Sequence, residues 1–387
     1  MSKLDSIMKK INKDFGINMI TKGPQDLSIA KIPFSSPTAN FMTYGGIPVG
    51  KVTEFYGGDG GGKTTSALDI CANAQKLYLS EWEEELRGIE EDINKCGNSK
   101  ADQKKKKKLE DELNEIKEEG PRAVVYVDLE HTLDIEWAKK LHVDTDKLIL
   151  VSPENQSAEE IFDIMLELID SGSVGLMVLD SIPCLVPQQV VDESFEKKSY
   201  GGVAGALTQF ANRLPPHITD NEVAFIGINQ VREDLSNAYS TVVTPGGKAW
   251  KHLCSLRIRY KKGRLLDIKG NEVPNGTENP AGNLVQMEIS KTKVCRPDRR
   301  LGYYTLNYID GIDLAADVLT MALKYKFIIQ SGAWYNFMDP QTGEIKQFAD
   351  GTEIKFQGKS KVLDFMREES CVIDELLERL IPIIEDG

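Results

Sequence analysis

Residues 52–65 read Val-Thr-Glu-Phe-Tyr-Gly-Gly-Asp-Gly-Gly-Gly-Lys-Thr-Thr, so a short apolar run passes into a loop with Gly57, Gly58, Gly60, Gly61 and Gly62 around Asp59. The spacing Gly57-x-x-x-x-Gly62-Lys63-Thr64 is the P-loop pattern, and residues 66–72 behind it read as helix. Glycines let successive backbone N–H groups turn inward around a phosphate chain, because no Cβ blocks the approach. The helix start adds its positive dipole end. Lys63 is expected to reach the β- and γ-phosphates and the Thr64 hydroxyl to hold Mg²⁺, with Thr65 next on the helix. An ordinary glycine turn would need neither the strand before it nor the helix after it.

Three further positions could complete this chemistry. Asp180 ends the apolar run 174–179, the Walker B arrangement, in which a carboxylate holds the Mg²⁺ shell through water. Glu130 follows the run 123–127 and Asp128; it either polarises the water that attacks a γ-phosphate or serves as a capping or salt-bridged glutamate. Gln230 ends the run 223–228 through Asn229, and a neutral amide there can sense a γ-phosphate by hydrogen bonding without adding charge.

The elements that must position these residues alternate. Runs at 52–56, 123–127, 148–151, 174–179 and 223–228 are continuously apolar, which predicts strands covered on both faces in a mainly parallel sheet. Helical stretches between them, such as 157–170, give an α/β fold with ligands at the carboxyl ends of the strands. Residues 186–205 and 235–247 lack a clear period and read as loops at that end, where nucleotide could be coupled to a second ligand.

The flanks are more polar. Residues 3–15 place Leu4, Ile7, Met8, Ile11 and Phe15 at helical spacing, a stripe that packs either on the chain's own core or on a neighbouring subunit. Residues 81–120 carry fourteen carboxylates and the run Lys104 to Lys108. Their thin apolar seam predicts a helical hairpin with arms at 81–93 and 105–117. A solvated hairpin is the favoured reading, phosphate contact by the lysines the other. Lys248, Lys251, Arg257, Arg259, Lys261, Lys262 and Arg264, followed by Lys291, Lys293, Arg296, Arg299 and Arg300, form a second basic concentration that suits a phosphate backbone. Acidic amphipathic helices close the chain at 364–386.

With 387 residues and 41% hydrophobic content the chain exceeds one average domain, and its net charge of −13 argues against indiscriminate coating of DNA or membranes. Six cysteines without a C-x-x-C pair and four scattered histidines make no zinc spacing; they read as reduced, mostly core thiols. No apolar run approaches a membrane span and residues 1–6 lack a signal h-region, so a soluble cytoplasmic protein is expected.

The order of these motifs resembles the RecA family of ATP-dependent DNA recombinases over nearly the whole chain. Residues 57–65 match its P-loop, and residues 127–134, Val-Asp-Leu-Glu-His-Thr-Leu-Asp, are similar to the segment with its catalytic glutamate, which makes Glu130 the first choice for the water-activating base. Residues 228–232 look like the motif whose glutamine senses the γ-phosphate, Lys291-Thr292-Lys293 like the lysine pair that reaches a neighbour's ATP, and residues 332–335 like the start of the small C-terminal domain. Asp134 and Trp137 fall where the family holds adenine, with Trp137 in place of the usual tyrosine. Asp59 replaces a glutamate, His252 replaces an interface phenylalanine, and the hairpin at 81–120 is absent from the ordinary bacterial pattern.

The resemblance implies a RecA-type P-loop ATPase core over 34–310, an N-terminal helical oligomerisation arm over 1–33 and a small α+β C-terminal domain over 311–387. It further implies a helical filament on single-stranded DNA that pairs homologous double-stranded DNA. ATP and Mg²⁺ would sit between protomers, and single-strand-binding and loader proteins are further partners. Lys197, Lys198, Tyr200, Gly201 and Gly202 in one loop, Arg213 behind it, and Arg232, Tyr239, Gly246, Gly247 and Lys248 around a second loop are the candidate DNA contacts. A ring helicase or loader on the same core, and a DNA-coating regulator that exchanges no strands, are the rival readings.

Overall fold

The computed structural model describes residues 3–15, 29–192, 202–234 and 241–386. Contacts divide the chain into Met1–Ala30 and Lys31–Gly387. The first unit holds helix α1 (Lys3–Phe15), as its apolar spacing predicts. The second opens with β1 (Lys31–Ile32), helix α2 (Pro37–Thr43) and β2 (Ile47–Pro48), and β1 pairs antiparallel with β2. Lys31 and Ile32 therefore belong to the body, not to the arm expected over 1–33.

Next come β3 (Val52–Gly57), α3 (Lys63–Lys95), α4 (Lys100–Glu119), β4 (Ala123–Asp128), α5 (Ile135–Lys140), β5 (Leu148–Val151), α6 (Ala158–Asp170) and β6 (Val174–Asp180). They are followed by α7 (Gln188–Asp192), α8 (Gly202–Asp220), β7 (Ala224–Gln230), the antiparallel ribbon of β8 (Arg232–Asp234) with β9 (Thr241–Val243), and α9 (Gly247–Leu253). The chain then forms β10 (Leu256–Leu266), β11 (Glu272–Val273), β12 (Gly282–Thr292), β13 (Leu301–Asn307) and β14 (Gly311–Ile312). It ends with α10 (Leu314–Lys324), β15 (Ile328–Ser331), β16 (Trp334–Phe337), β17 (Lys355–Gln357), α11 (Lys359–Glu368) and α12 (Ser370–Glu385).

Among the described residues ten strands form one sheet, in the order β14-β13-β12-β10-β3-β7-β6-β4-β5 with β11 on β10. From β10 to β5 every neighbouring pair is parallel; β12, β13 and β14 extend the sheet antiparallel. The order reverses at β3, the first strand of this sheet in the chain, whose neighbours β7 and β10 both come later. That is where ligand crevices open in such sheets. One face is covered by α3 and α2, with Phe55, Leu68, Tyr126 and Tyr260 in its core; the other is covered by α6 and α8, with Phe162, Phe210, Phe225 and Trp250. β5 departs from the expectation of strands covered on both faces, since Ile149 and Leu150 of this edge strand are exposed. The thiols depart as well: Cys71 and Cys254 are buried, whereas Cys184 and Cys371 are exposed.

α3 is a single helix of 33 residues, so the P-loop helix and the first arm of the hairpin are continuous. α4 returns along it, capped by Ser99, which accepts from Asp102 N. Trp82 Nε1 donates to Ile116 O at 2.9 Å across the seam.

β15, β16 and β17 make a small antiparallel sheet that packs with α10, α11 and α12 around Phe337, Val362 and Leu376. The large sheet runs on to Ile312, past the boundary expected at 310. Arg299 ties this region to the body: its guanidinium stacks on Phe41 and Tyr44 and donates to the carbonyls of Ile383, Ile384 and Asp386 at the end of α12. So does Asp317 of α10, which accepts from the hydroxyls of Ser36 and Thr38.

Burial pushes the Asp317 carboxyl up to about 6 from its ordinary value near 3.8, although Ser36 and Thr38 donate to it. A proton held more tightly in the folded chain stabilises fully below the ordinary value, and that contribution disappears as pH rises through about 6. Asp317→Asn removes this titration. The melting temperature of the parent should therefore fall relative to the variant between pH 4 and 6.5, by on the order of 2–3 kcal/mol of stability, and track it above. A constant gap across that window would contradict the assignment.

Candidate active site

The parallel register brings the sequence-selected residues to one sheet edge. Gly57 pairs with Gln230 and Asp128 with Asp180, so the P-loop, both acidic strand ends and the glutamine emerge together. At Gly57 a Cβ would stand 2.1 Å from Tyr260 O, which leaves glycine as the residue that lets β3 close on β10. Gly58 and Gly60 instead face open space, and Gly60 sits at φ +65°, a conformation side chains disfavour. The chain folds into a turn whose concave side stays free for a ligand, and α3 begins at its end.

Lys63 is only 8% exposed, and its ammonium donates to Gly57 O at 3.1 Å and Gly58 O at 2.8 Å. Burial lowers its pKa, while the carboxylates of Asp59, Asp180 and Glu130 pull it back up. Thr64 Oγ1 donates to Asp180 Oδ2 at 3.0 Å, and the same oxygen accepts from Tyr126 OH at 2.6 Å. Burial raises the Asp180 pKa against those two hydrogen bonds. Glu130 accepts from the Ser181 hydroxyl, and Gln230 Nε2 lies 3.5 Å from its Oε1. Asp128 holds the turn that carries Glu130 by accepting from Leu133 N at 3.0 Å.

These residues fit a nucleoside triphosphate with Mg²⁺. One hydroxyl and one carboxylate within hydrogen-bond reach are what such an ion takes from protein when phosphates and water supply the rest. Beside the P-loop a cleft of about 340 Å³ is lined by Gly60 to Thr65, Trp137, Lys262, Asn283, Leu306 and Tyr308. Asp134 caps α5 by accepting from Trp137 N at 2.9 Å, and Trp137 Nε1 donates to Thr65 Oγ1 at 3.3 Å, which sets the indole against the cleft. Asn283 and Tyr308 are joined by a 2.8 Å hydrogen bond and escaped the sequence reading, because Asn283 lies on the antiparallel extension and Tyr308 in the turn that follows its strand β13.

A buried network lies behind Gln230. Glu54, fully buried on β3, accepts from Asn229 Nδ2 at 2.8 Å, from Trp250 Nε1 at 3.1 Å and from the Arg257 guanidinium. Asn229 also donates to Pro245 O at 3.0 Å, and Arg257 to Thr244 Oγ1 at 3.2 Å. The strand carrying the P-loop, the strand carrying Gln230 and the segment 244–245 are thus tied to one carboxylate. No local pattern announced it, since the partners are up to 203 residues apart.

Lys291 and Lys293 are not at this edge. Lys291 is in register with Arg257, which is level with Glu54, three residues short of Gly57 and roughly 10 Å away along the strand. Both ammonium groups donate to His252 O at the end of α9, at 3.1 and 2.8 Å. A positive charge is favourable there.

Of the candidate DNA contacts, Lys197, Lys198, Tyr200, Gly201 and Tyr239 lie outside the described residues. Gly202 opens α8; Arg232 and Lys248 are exposed; Gly246 and Gly247 take positive φ at the start of α9. Residues 235–247 are not all loop, because Thr241–Val243 forms the ribbon with Arg232–Asp234. Arg213 sits well along α8 and pairs with Asp163 at 3.0 Å, away from Gly202. The basic concentration at 248–300 is also largely committed: Arg257, Lys261 and Arg264 pair with Glu54, Glu288 and Glu272, and Arg299 with aromatic rings and carbonyls. Strand alternation splits the β10 cations between two faces, so they make no single phosphate stripe.

The family model described as RecA N-terminal domain matches residues 2–79 and 105–313. The chain is 29% identical over 381 residues to the protein RecA of Streptomyces rimosus, covering 97% of this chain and 84% of that one. It is 28% identical to that of Aquifex aeolicus over 381 residues (97% and 91%), and 28% identical to that of Clostridium acetobutylicum over 396 residues (100% and 97%). Among the described residues no helix is long and apolar enough to cross a membrane.

Proposed function

The chain belongs to the RecA family, and from that premise we propose that it assembles on single-stranded DNA as a helical filament, searches for homology and exchanges strands, hydrolysing ATP when DNA is bound. The observation that carries the reading is the convergence of Lys63, Thr64, Asp180, Glu130 and Gln230 at one sheet edge, with Gln230 leading directly into the β8–β9 ribbon. Mg²⁺, when bound by Thr64 and Asp180, would offset charge on the phosphates. Lys63 would take the β- and γ-phosphates, Gly57 to Thr65 would wrap the chain of phosphates, and Trp137 with Asp134 would hold the base by a stacking surface. Glu130 would accept the proton of the attacking water.

Coupling to DNA follows from the shared carboxylate. A γ-phosphate contact with Gln230 shifts the end of β7, and Asn229 beside it is bonded both to Glu54 and to Pro245, so the second loop feels the change. Lys291 and Lys293, remote from their own P-loop, suit the nucleotide of an adjacent protomer. ATP would then favour the DNA-gripping arrangement and hydrolysis would loosen it.

The test is a strand-exchange reaction between homologous circular single-stranded and linear duplex DNA with ATP and Mg²⁺. Joint molecules and exchanged product are expected. ATP-dependent coating of DNA without product would make the chain a coating regulator instead, and closed rings in electron micrographs would make it a helicase or loader.

A further inference from the structure

The hairpin of α3 and α4 is the part of the body that the nucleotide site does not use. The family model skips residues 80–104, so most of the first arm and the tip are this chain's own. Tyr78 is the last buried residue of α3 and none of α4 is buried, so roughly 25 Å of α3 projects beyond the core at 1.5 Å per residue. The projection contributes no core, and its internal contacts are few: the Trp82 to Ile116 hydrogen bond and a Lys117–Glu90 pair at 3.2 Å.

Its charges are segregated. Residues 81–92 hold seven carboxylates and one arginine, and residues 110–119 six carboxylates and one lysine. The tip between them, residues 95–108, holds seven lysines and one carboxylate, Asp102, which is engaged in the Ser99 cap. Lys106 lies 3.9 Å from Glu110 and Lys95 pairs with Asp92, but Lys100, Lys104, Lys105, Lys107 and Lys108 have no acidic partner among the described residues. A solvating hairpin would intersperse its signs, since neighbouring opposite charges stabilise a helix and adjacent like charges cost energy. Five consecutive exposed lysines, four of them without an acidic partner among the described residues, instead surround the helix with positive charge in a chain of net charge −13.

Placement decides what that charge can meet. α3 starts at the carboxyl edge of the parallel strands and runs back across the sheet; Tyr78 OH donates at 2.9 Å to Gly175 O, at the beginning of β6. The hairpin therefore leaves from the amino edge, a full strand length away from the edge where Asp180 and Gln230 lead into the proposed DNA loops. We infer that the lysine tip of the hairpin, residues 95–108, is a second DNA-backbone contact that holds a duplex separate from the strand bound at the loops. This rests on the reading that the chain acts on DNA, and gives it a place for the second molecule that pairing requires. The interaction is with phosphate alone, so it is independent of sequence and strongly salt-dependent.

The test uses the full chain and a variant carrying Lys→Gln at positions 104, 105, 106, 107 and 108, substitutions that retain helix propensity on an exposed segment. Each protein is saturated with unlabelled oligothymidylate and a slowly hydrolysed ATP analogue, then titrated with a labelled duplex of unrelated sequence at several salt concentrations. The variant should bind duplex at least tenfold more weakly at 0.1 M salt, with a log K against log salt slope shallower by roughly 3 to 4, about 0.9 for each phosphate no longer neutralised. Its single-strand-stimulated ATPase should be unchanged. Equal duplex affinity and slope would overturn the inference, as would a matching loss of single-strand binding or a loss of self-association alone. Absence of single-strand-stimulated ATPase in the parent would count against the proposed function, while the duplex titration still judges the hairpin.

Discussion

Glu130→Gln is expected to slow ATP hydrolysis by roughly 10²- to 10⁴-fold, the range that a positioned general base supplies, while nucleotide and DNA binding persist. The substitution is nearly isosteric. Its amide oxygen can still accept from Ser181, and the turn is held independently by Asp128 through Leu133 N. The residues suited to Mg²⁺, Thr64 and Asp180, are bonded to each other and not to Glu130, so the variant leaves them in place. What is lost is the ability to accept a proton at a point beside Gln230, whose amide stands 3.5 Å away. Turnover measured by phosphate release, with binding measured by a fluorescent nucleotide, separates the two. DNA complexes of the variant should be long-lived if, as proposed, hydrolysis is the step that loosens them. Undiminished turnover would reduce Glu130 to a capping or salt-bridged glutamate, the alternative that its position at a strand end left open.

The parts of this arrangement that could be read from the chain are those whose signal is local. The P-loop spacing, the apolar strands ending in Asp128, Asp180 and Gln230, and the hairpin seam each occupy a few turns or one strand, and all form where expected. The antiparallel extension escaped for a physical reason. Along β10, Leu256, Ile258 and Tyr260 are buried and alternate with Arg257, Arg259 and Lys261, so a half-covered strand looks like a basic run. Period-two alternation was the available signal. Missing it hid Asn283 and Tyr308 on the cleft wall, and credited to DNA several cations that pair with carboxylates. The Glu54 network had no such signal, since one buried glutamate before a P-loop gives no hint that Asn229, Trp250 and Arg257 converge on it.

That network also bears on why a small event at the phosphates could reach the loops proposed to hold DNA. A buried carboxylate stripped of any one donor is left with an unmet acceptor in a dry site, which is costly, so its partners move together or not at all. Asn229 and Gln230 are consecutive on β7, which leaves little slack between the amide beside Glu130 and the one bonded to Glu54 and Pro245. A displacement at one is passed to the other, because packed interiors switch between arrangements instead of deforming smoothly.

The second large effect is at Lys63. Lys63→Ala should weaken ATP binding by roughly 10²-fold, since charge-assisted hydrogen bonds contribute about 1.5–3 kcal/mol each, and should abolish ATP-driven assembly on DNA. The lysine is almost fully buried, and its ammonium is satisfied by only two loop carbonyls, Gly57 O and Gly58 O. Burial already disfavours its charge, and the surrounding Asp59, Asp180 and Glu130 offset that only in part. An anion with several oxygens is a better partner than two peptide carbonyls, so the site gains most when phosphate arrives. Arginine would not substitute well, because its planar fork is larger than the point charge the glycine turn encloses. Calorimetric titration with ATP and light scattering on single-stranded DNA read the two consequences separately. ATP-stimulated assembly by Lys63→Ala would remove the glycine loop from its assigned role, and with it the premise that phosphate binding controls the grip on DNA.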